Sequence, residues 1–305
     1  MRVRPQWRGR LYVLVLVLLL PALPALAQED ISGLWEPLIH EDAPQRGNGS
    51  LIGDYTGLPL SQANRLRSES WAADMMEVPE WVCRPYSSDD GFYAAPAQLS
   101  IWKEVDKTTQ QLIAYHTHIF YHEQEQTIWM DGRPHPPEYA LHTWAGFSTG
   151  QWEGDTLLYT TTHLKESFIE RNGPVRSDRA TVRARLRRYG DYLTAVVIVY
   201  DPVYLTQPFI RALSWVYDPT MVMRPYPCEE ATETVVPRGK VPHYLPGKNA
   251  ILTEFPAQYG IPPEAALGGA ETLYPEYIAK MKNMKLLPRP VKKTTEQPLS
   301  RDEDQ

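Results

Sequence analysis

The sequence predicts a mainly β protein, in which an antiparallel meander of about eight strands closes into a barrel with a few peripheral helices. From residue 98 onward, polar and apolar residues alternate with a period of two in one segment after another. Short turns separate these segments, as at Gly154-Asp155 and Gly190-Asp191. No helical segment lies between them to cover a flat sheet. We therefore expect the sheet to close, because closure removes exposed edges.

Eight segments carry this alternation, and the clearest is Arg179–Arg188. There Val182, Ala184 and Leu186 alternate with arginines, so one face should meet water and the other a core. The row of arginines suggests an anion-binding face, although an outer wall paired with acids on neighbouring strands is the commoner arrangement. The predicted strands are Leu99–Glu104, Gln111–Phe120, Gln126–Met130, Phe147–Trp152, Thr156–His163, Arg179–Arg188, Tyr192–Tyr200 and Pro208–Tyr217.

The segment Ile31–Pro37 predicts a short strand ahead of the barrel. Its Gly33-x-Trp35 pair resembles the G-x-W motif near the start of lipocalin chains, in which the Trp closes the bottom of the barrel. This resemblance implies a lipocalin-like, calycin-type barrel, and a barrel of eight strands can hold one small ligand. We assign residues 28–97 to the N-terminal strand, loops and a helix that pack on the barrel, and residues 98–220 to the barrel core.

Helices are expected only outside the barrel. The first covers Leu60–Met76, is capped by Ser61 and ends before Pro79. Its apolar stripe should contain Ala63, Leu66, Trp71 and Met75. Residues 221–286 form a C-terminal arm of loops and short helices, and residues 287–305 are polar without periodicity, so we expect a disordered tail. The helices expected in the arm are Ala250–Gln258 with Asn249 as its cap, Glu264–Leu267 and Glu271–Met284.

The N-terminus has the pattern of a secretory signal peptide. Four arginines precede the uncharged apolar run Leu11–Leu20, and Ala25-Leu26-Ala27 forms a small-residue cleavage site. We expect residues 1–27 to be removed and the mature protein to be periplasmic or secreted. The apolar run is short and is followed by two prolines, which argues against a retained anchor. No membrane span is expected after cleavage.

The charge balance argues against a nucleic-acid partner. The chain has 31 Lys and Arg against 37 Asp and Glu, and the predicted signal peptide contains four of the arginines and no acid, which leaves a formal charge of −10. An acidic protein does not attract phosphate backbones or an anionic membrane surface.

Cys83 and Cys228 are the only two cysteines. Two cysteines in an exported protein usually pair, so we expect a disulfide that joins the segment before the barrel to the segment after it. Two buried thiols are the alternative.

The densest turn chemistry lies between Trp129 and His163. Three prolines at 134, 136 and 137 fix the backbone, and Gly132 allows a positive φ. A stiff polar loop between strands is a typical place for a site on a β scaffold. We expect residues 131–144 to rim the mouth of the barrel around a small-molecule ligand. The predicted ligand-binding residues are Trp129, His135, His142, Trp144 and Tyr159.

Three histidines, at positions 116, 118 and 122, lie at even spacing. An unbroken strand would place them on one face, which we expect to be the inner one. This spacing makes His116, His118 and His122 candidate metal ligands, although histidines hydrogen-bonded in a polar interior are commoner, and the sequence assigns no metal or cofactor. A His beside a carboxylate can also act as a general acid–base pair. The catalytic candidates are His116, His118, Asp131, His142 and His163.

One nucleophile motif has the wrong context. Residues 146–150 match G-x-S-x-G, but a nucleophile elbow needs a strand, a sharp turn and then a helix. Here a hairpin follows at Gly154-Asp155, which argues against a serine hydrolase built on this motif.

A longer set of motifs resembles a family of exported bacterial proteins. The set begins with DGRPHPPEY at 131–139 and HTWAGFSTGQWEG at 142–154, and continues through most of the mature chain. The resemblance implies export and a β-rich, lipocalin-like fold, and it implies no reaction. The later motifs are TTTH, RNG, SDRAT, YLT, DPVYL, PYPCE, VPHYLPGKN, LTEF, GGAET and YPEYI.

Three functions remain open from the sequence. The first is an exported soluble protein that binds a small amphipathic or hydrophobic molecule in a barrel cavity. The second is a hydrolase or isomerase that uses histidine and carboxylate groups around the central loop. The third is a structural or partner-binding protein of the envelope. An open apolar cavity would favour the first, a cavity in which His116, His118 or His142 meets a carboxylate the second, and a filled interior the third. The oligomeric state is not determined.

Overall fold

The centre of the molecule is a closed β-barrel. The computed structural model describes residues 29–38, 51–72, 74–75, 83–93, 97–170, 172–226, 237 and 239–290. Within these residues nine strands close in the order β1-β11-β10-β9-β6-β5-β4-β3-β2, and β7 and β8 form a separate two-stranded sheet. The strands are β1 Gly33–Pro37, β2 Leu99–Val105, β3 Leu112–Ile119, β4 Gln124–Trp129, β5 Phe147–Glu153, β6 Thr156–Thr162, β7 Ser167–Phe168, β8 Val175–Arg176, β9 Thr181–Tyr189, β10 Tyr192–Tyr200 and β11 Phe209–Tyr217.

The short N-terminal strand completes the barrel. β1 pairs with both β11 and β2, so that Trp35 lies opposite Tyr217 on one side and Leu99 on the other. The barrel therefore has nine strands, where the sequence predicted about eight strands after residue 98. The expectation of a mainly β protein that closes into a barrel is confirmed.

The sheet is not a pure antiparallel meander, and that part of the prediction is wrong. β4 and β5 run parallel, with Ile128 opposite Ser148 and Trp129 opposite Thr149. A parallel pair needs a connection that returns along the length of the strands. Residues 130–146 provide this connection, so the proline-rich segment is a crossover and not a turn between antiparallel neighbours.

The alternation of residues on β9 and β10 has the predicted result. Val182, Ala184 and Leu186 are buried, whereas the arginines between them are exposed. On β10, Val197 points inward and Ile198 lies on the outer wall. On these two strands every second side chain is apolar and joins the core, whereas β4, β5 and β6 also bury the polar residues Gln126, Ser148 and Thr161.

The tryptophan of the G-x-W motif is part of the barrel core. The Trp35 side chain is completely buried, and its Nε1 donates to the Ile31 carbonyl at 3.1 Å. The guanidinium carbon of Arg188 lies 5.2 Å from the centroid of the Trp35 ring. A buried Trp at this position is what the G-x-W motif predicted.

Residues 87–93, which we call the plug, pack against the inner side chains of the barrel. Its Phe92 ring packs edge-on against Trp215, at 5.7 Å between centroids, and Tyr93 packs against Phe209 at 5.8 Å. A β-carbon on Gly91 would lie 2.4 Å from the Ile119 Cδ1 atom, so only glycine fits this approach of the plug to the barrel wall. The apolar residues of the plug and of the strands belong to one cluster of buried side chains.

The N-terminal helix is shorter than predicted and packs differently. α1 covers Gln62–Glu69, and the Ser61 side chain caps it by accepting from the Asn64 amide. Its buried residues are Asn64 and Ser68, while Leu66 is half exposed, so the predicted apolar stripe is wrong. Asn64 anchors the helix through its amide, which donates to the Val175 carbonyl at 2.7 Å.

The C-terminal arm contains short helices close to the predicted positions, and Asn249 caps the first turn by accepting from the Ile251 amide. None of the helices in the described ranges is long and apolar enough to cross a bilayer. The predicted signal peptide and residues 291–305 of the predicted tail lie outside the described residues. The helices of the arm are α2 Glu254–Tyr259, α3 Pro263–Ala266 and α4 Pro275–Met281, with single 3₁₀ turns at Ala250–Thr253 and Ala270–Leu273.

Candidate functional site

The proline-rich crossover lies along the outer wall of the barrel. We call residues 131–142 the proline loop. His135 contacts the hydroxyls of Thr149 on β5 and Thr162 on β6. Both threonines face outward, because their neighbours Ser148 and Thr161 are buried in the barrel. The loop therefore does not rim an open mouth, and that prediction is wrong.

A continuous set of hydrogen bonds fixes this loop to the wall. His135 Nε2 is 2.8 Å from Thr149 Oγ1, and His135 Nδ1 is 2.7 Å from Thr162 Oγ1. Thr162 Oγ1 is in turn 2.8 Å from His163 Nδ1, and His163 Nε2 is 3.0 Å from the Pro137 carbonyl oxygen. Partial burial, followed by the nearby His163, lowers the pKa of His135 below its usual 6.5.

The start of the loop is held by an ion pair and a ring contact. Arg133 Nε lies 2.9 and 3.0 Å from the two carboxylate oxygens of Asp131. Its guanidinium carbon lies 3.5 Å from the centroid of the Trp129 ring. The hydrogen bond from Arg133 lowers the pKa of Asp131. This carboxylate is therefore already hydrogen-bonded to Arg133 and is not free to act as a general base.

Between the loop and the outer wall lies a cavity of about 510 Å³, which we call the outer groove. This volume falls within the roughly 300–1,000 Å³ typical of small-molecule sites. Leu158 and Ile198 give its floor an aliphatic surface, and both are half-buried. Tyr159 belongs to its lining although its side chain is buried in the barrel. The lining includes Gly132, Arg133, Thr149, Gln151, Leu158, Tyr159, Thr160, Arg183, Arg185, Ile198 and Tyr200.

Two arginines give the groove its charge. Arg183 and Arg185 have no ion-pair partner in the described part of the chain, whereas Arg187 on the same strand pairs with Asp155. The guanidinium carbon of Arg183 lies 5.4 Å from the centroid of the Tyr200 ring. The sequence allowed either an anion site or an outer wall paired with acids. Arg187 fits the outer wall paired with acids. Arg183 and Arg185 do not, and they remain available to bind an anion.

The last residues of the crossover lie outside the groove. Trp144 is half-buried, with the Arg84 guanidinium 4.5 Å and the Lys165 ammonium 5.0 Å from its ring centroid. Its carbonyl accepts from the Ser88 amide at 2.9 Å, which ties the crossover to the plug. His142 Nδ1 contacts the Leu164 carbonyl at 3.0 Å. Three of the predicted ligand-binding residues lie at the groove. Tyr159 lines it, His135 belongs to the proline loop beside it, and Trp129 contacts Arg133 of that loop.

His116 and His118 share a face of β3, as predicted, but it is the outer face. The inward residues are Tyr115, Thr117 and Ile119, so the prediction of an inner face is wrong. Bulky groups stand on both faces of this strand, so its periodicity could not decide the direction.

On this outer face each histidine meets a carboxylate. His116 Nε2 lies 2.9 Å from Glu104, and its ring stacks on Trp102. His118 Nε2 lies 3.3 Å from Glu123 beside a second cavity of about 360 Å³.

The metal hypothesis finds no support in the geometry. His122 follows the end of β3 in a tight turn with φ of 54°, where its ring stacks on Tyr86, so it does not share a face with His116 and His118. Within the described ranges, no group of three or more His, Cys, Asp or Glu side chains could hold a metal ion.

The serine of the G-x-S-x-G motif is a structural residue. Ser148 points into the barrel, where its hydroxyl contacts Thr161 at 2.8 Å and accepts from Gln126 at 3.0 Å. The expectation that strand and hairpin context excludes a nucleophile elbow is confirmed.

One of the two cysteines of the predicted disulfide lies among the described residues. Cys83 lies at the surface and is not a free thiol. Cys228 is outside the described residues, so its pairing with Cys83 stays a prediction.

The plug contains a charged cluster that the sequence did not indicate. Arg176 and Asp89 are both buried, with Arg176 Nε 2.7 Å and Nη2 2.8 Å from the two carboxylate oxygens. The Tyr93 hydroxyl also donates to Asp89 at 2.7 Å, and Arg176 Nη1 donates to the Lys165 carbonyl at 2.6 Å. The pair thus joins the plug to β8 inside the molecule.

Asp90 is the second buried carboxyl of the cluster, and the Arg176 guanidinium is bonded to Asp89. It accepts from Ser167 Oγ at 2.9 Å, and its other oxygen lies 3.2 Å from the oxygen of the Tyr93 hydroxyl, whose single proton goes to Asp89. Burial, followed by the charge of Asp89, raises the pKa of Asp90 to about 8. The adjacent acids Asp89 and Asp90 beside Gly91 are the one local feature that could have directed attention to this segment, although they do not show that it is buried.

No protein-family model, curated protein or solved structure matches the chain in three comparisons. The resemblance to exported bacterial proteins therefore stays a prediction, and the function must be argued from the site itself.

Proposed function

We propose that this protein binds a small amphipathic anion in the outer groove, between the proline loop and the barrel wall. The observation that carries the proposal is the pair Arg183 and Arg185, which line a cavity of suitable size without ion-pair partners in the described part of the chain. The sequence predicts a small amphipathic or hydrophobic ligand in a barrel cavity; this proposal narrows the ligand to an amphipathic anion and places it on the outer wall.

The groove has the chemistry of an amphipathic site. A guanidinium binds a carboxylate, sulfonate or phosphate through paired hydrogen bonds, and such charge-assisted bonds are stronger than neutral ones. The Thr160 hydroxyl can donate to the same headgroup, while Leu158 and Ile198 offer aliphatic surface to an apolar tail. Three prolines hold the loop above the groove, so ordering it on binding costs little entropy.

A pair of fluorescent probes tests this proposal. Anilinonaphthalene sulfonate is an amphipathic anion, and phenylnaphthylamine is a similar molecule without the sulfonate. Changing both Arg183→Gln and Arg185→Gln should weaken binding of the anion by roughly ten- to a hundredfold, because charged hydrogen bonds are lost. Arg187→Gln is the matched control, since this arginine lies on the same face but pairs with Asp155. Unchanged anion affinity in the double variant would reject the proposal.

A second candidate is an enzyme on the opposite outer wall. The contact of His118 with Glu123 beside a cavity is the arrangement expected of a general acid–base pair. A screen of ester, amide and glycoside substrates tests this candidate. Activity that survives His118→Asn would reject it.

A third candidate is partner binding through the exposed apolar side chains of the proline loop. Tyr139 and Leu141 on the proline loop are 90% and 91% exposed, and exposed apolar side chains on a rigid loop can anchor a partner. Changing both residues to serine should abolish any self-association seen in sedimentation. If the chain remains monomeric at all concentrations, association with itself is rejected.

We also propose export and a lipocalin-like relationship. The basic, apolar and small-residue segments of 1–27 support cleavage before Gln28, and the buried Trp35 supports the comparison with lipocalins. N-terminal sequencing of protein recovered outside the cytoplasm tests the cleavage. Titration of free thiols in the denatured, unreduced protein tests the Cys83–Cys228 disulfide, which two reactive thiols would exclude.

A further inference from the structure

The aliphatic surface of the outer groove continues across the next strand of the barrel. Residues that lie directly opposite each other on neighbouring antiparallel strands point to the same side of the sheet. Ile198 on β10 lines the groove and lies opposite Arg183 on β9 and opposite Ile210 on β11. Val196 and Ala212 form the next outward pair along β10 and β11. We call Val196, Ile198, Ile210 and Ala212 the aliphatic strip.

The aliphatic strip lies open on the outer wall beside the arginines. Ile210 is 58% exposed, and Ala212 is exposed as well. The strand next to the strip is β9, on which Arg183 and Arg185 point to the same side. The wall therefore presents cations on one strand and hydrocarbon on the next two. An exposed aliphatic surface that adjoins a charged cavity is typical of a site for an amphipathic ligand.

A further cavity, of about 410 Å³, adjoins the strip between β11 and the C-terminal arm. We call it the arm cavity. Ile210 of the strip lines it, and so does Leu273 of the arm, which is 66% exposed. The one charged side chain in the described part of its lining is Arg211, whose Nη2 lies 2.6 Å from a carboxylate oxygen of Glu170. The arm cavity therefore suits an uncharged, apolar group.

The two cavities meet at one pair of isoleucines. Ile198 lines the outer groove, and its cross-strand neighbour Ile210 lines the arm cavity. Neighbouring strands lie about 4.8 Å apart, so the path from Arg183 on β9 to Ile210 on β11 is roughly 10 Å long before it enters the arm cavity. A compact amphiphile would cover the groove alone, whereas a long alkyl chain would cover the groove, the strip and the arm cavity.

We propose that the ligand of the outer groove is a long-chain anion, a single alkyl or acyl chain with one anionic headgroup. The headgroup binds Arg183 and Arg185, and the chain crosses the aliphatic strip into the arm cavity. The inference rests on the proposed function, to which it adds a binding site for the tail. Each methylene that leaves water on this path should raise the affinity by roughly two- to fourfold, because burial of hydrocarbon is favourable.

The test is calorimetric titration of the mature protein with octanoate, decanoate, dodecanoate and tetradecanoate. The pH is chosen so that the carboxylates are ionised, and each concentration stays below that at which micelles form. The affinity should rise by roughly two- to fourfold for each added methylene through the whole series. An affinity that no longer rises beyond octanoate would overturn the proposal, because the tail would then end within the groove.

Two variants locate the tail. Ile210→Ser alters the strip and Leu273→Ser alters the arm cavity, and both side chains are largely exposed, so folding should be retained. Each change should weaken binding of tetradecanoate by roughly tenfold and binding of octanoate much less. Val105→Ser is the matched control, because Val105 is an exposed aliphatic residue of β2 that lines neither cavity. Tetradecanoate affinity that is unchanged in both Ile210→Ser and Leu273→Ser would reject the tail site.

The double change Arg183→Gln and Arg185→Gln separates the tail site from the proposed function. If it leaves the affinity unchanged while Ile210→Ser weakens tetradecanoate, the tail site stands and the anion site fails. If it weakens all four carboxylates equally and chain length has no effect, the anion site stands and the tail site fails. A protein that self-associates through Ile210 and binds tetradecanoate no better than octanoate would assign the strip to a second copy of the chain and overturn the proposal.

Discussion

Replacing Asp90 by asparagine should change how stability depends on pH. Asp90 is 2% exposed, and the Arg176 guanidinium of the same cluster is bonded to Asp89. Because its pKa rises to about 8, Asp90 is protonated in the folded protein at neutral pH. Asparagine has nearly the same shape and cannot ionise, so it should replace the neutral acid with little disturbance.

The size of the effect follows from linkage. The folded pKa of about 8 lies above the ordinary 3.8, so the stability linked to this proton is fully present below pH 3.8 and is lost as the pH rises towards 8. At about 1.4 kcal/mol for each pH unit, the loss is on the order of 5 kcal/mol. Asparagine does not ionise, so the variant does not lose this stability as the pH rises. Its free energy of unfolding should therefore increase relative to that of the unaltered protein.

The assay is urea unfolding of both proteins at a series of pH values from about 4 to about 9. The difference in unfolding free energy should grow by several kcal/mol in favour of Asp90→Asn across this range. Asp106→Asn is a control at an exposed turn, where no gain of this kind is expected. A difference that stays constant across the range would show that Asp90 is already ionised in the folded protein, and the reasoning would fail.

Two further changes test the plug. Arg176→Met leaves Asp89 buried without its guanidinium and should cost about 3–5 kcal/mol in urea unfolding, whereas a double change with Asp89→Asn should recover much of the loss; equal losses in both would contradict this. Gly91→Ala places a methyl group against the Ile119 side chain and should destabilise the protein by about 1–3 kcal/mol through overpacking. A thermal melt measures this loss. An unchanged melting temperature would mean that the plug is not packed against β3.

Local patterns in the sequence predicted the strands well. On β9 and β10 the alternation of apolar and polar residues can be seen within the sequence of each strand. The residues that face the core, such as Leu186 and Val197, could therefore be predicted. The turn at Gly154, with φ of 61°, and the buried Trp35 follow from equally local signals.

Contacts between distant segments could not be predicted in the same way. Asp89 and Arg176 are 87 positions apart, and nothing near either residue shows that both are buried. The parallel pairing of β4 with β5 has no local signature either, so the proline loop was placed at the mouth and not on the wall. His116 was assigned to the wrong face because apolar residues occupy both faces of its strand.

The candidate site was therefore predicted in part. His135 and the proline loop were identified as important from their composition, and the arginine row of β9 was identified as a possible anion site. Their meeting in one groove depends on the crossover, which brings Arg133 over Arg183 and Arg185 only in the folded barrel.

The central claim is that a ligand binds on the outer wall and not inside the barrel, and methyl NMR tests it most directly. Leu157 and Leu158 are neighbours on β6 that face inward and outward, and Val197 and Ile198 form the same kind of pair on β10. Titration with anilinonaphthalene sulfonate should shift the methyl signals of Leu158 and Ile198 and leave those of Leu157 and Val197 in place. Shifts confined to Leu157 and Val197 would place the ligand in the barrel interior and contradict the account.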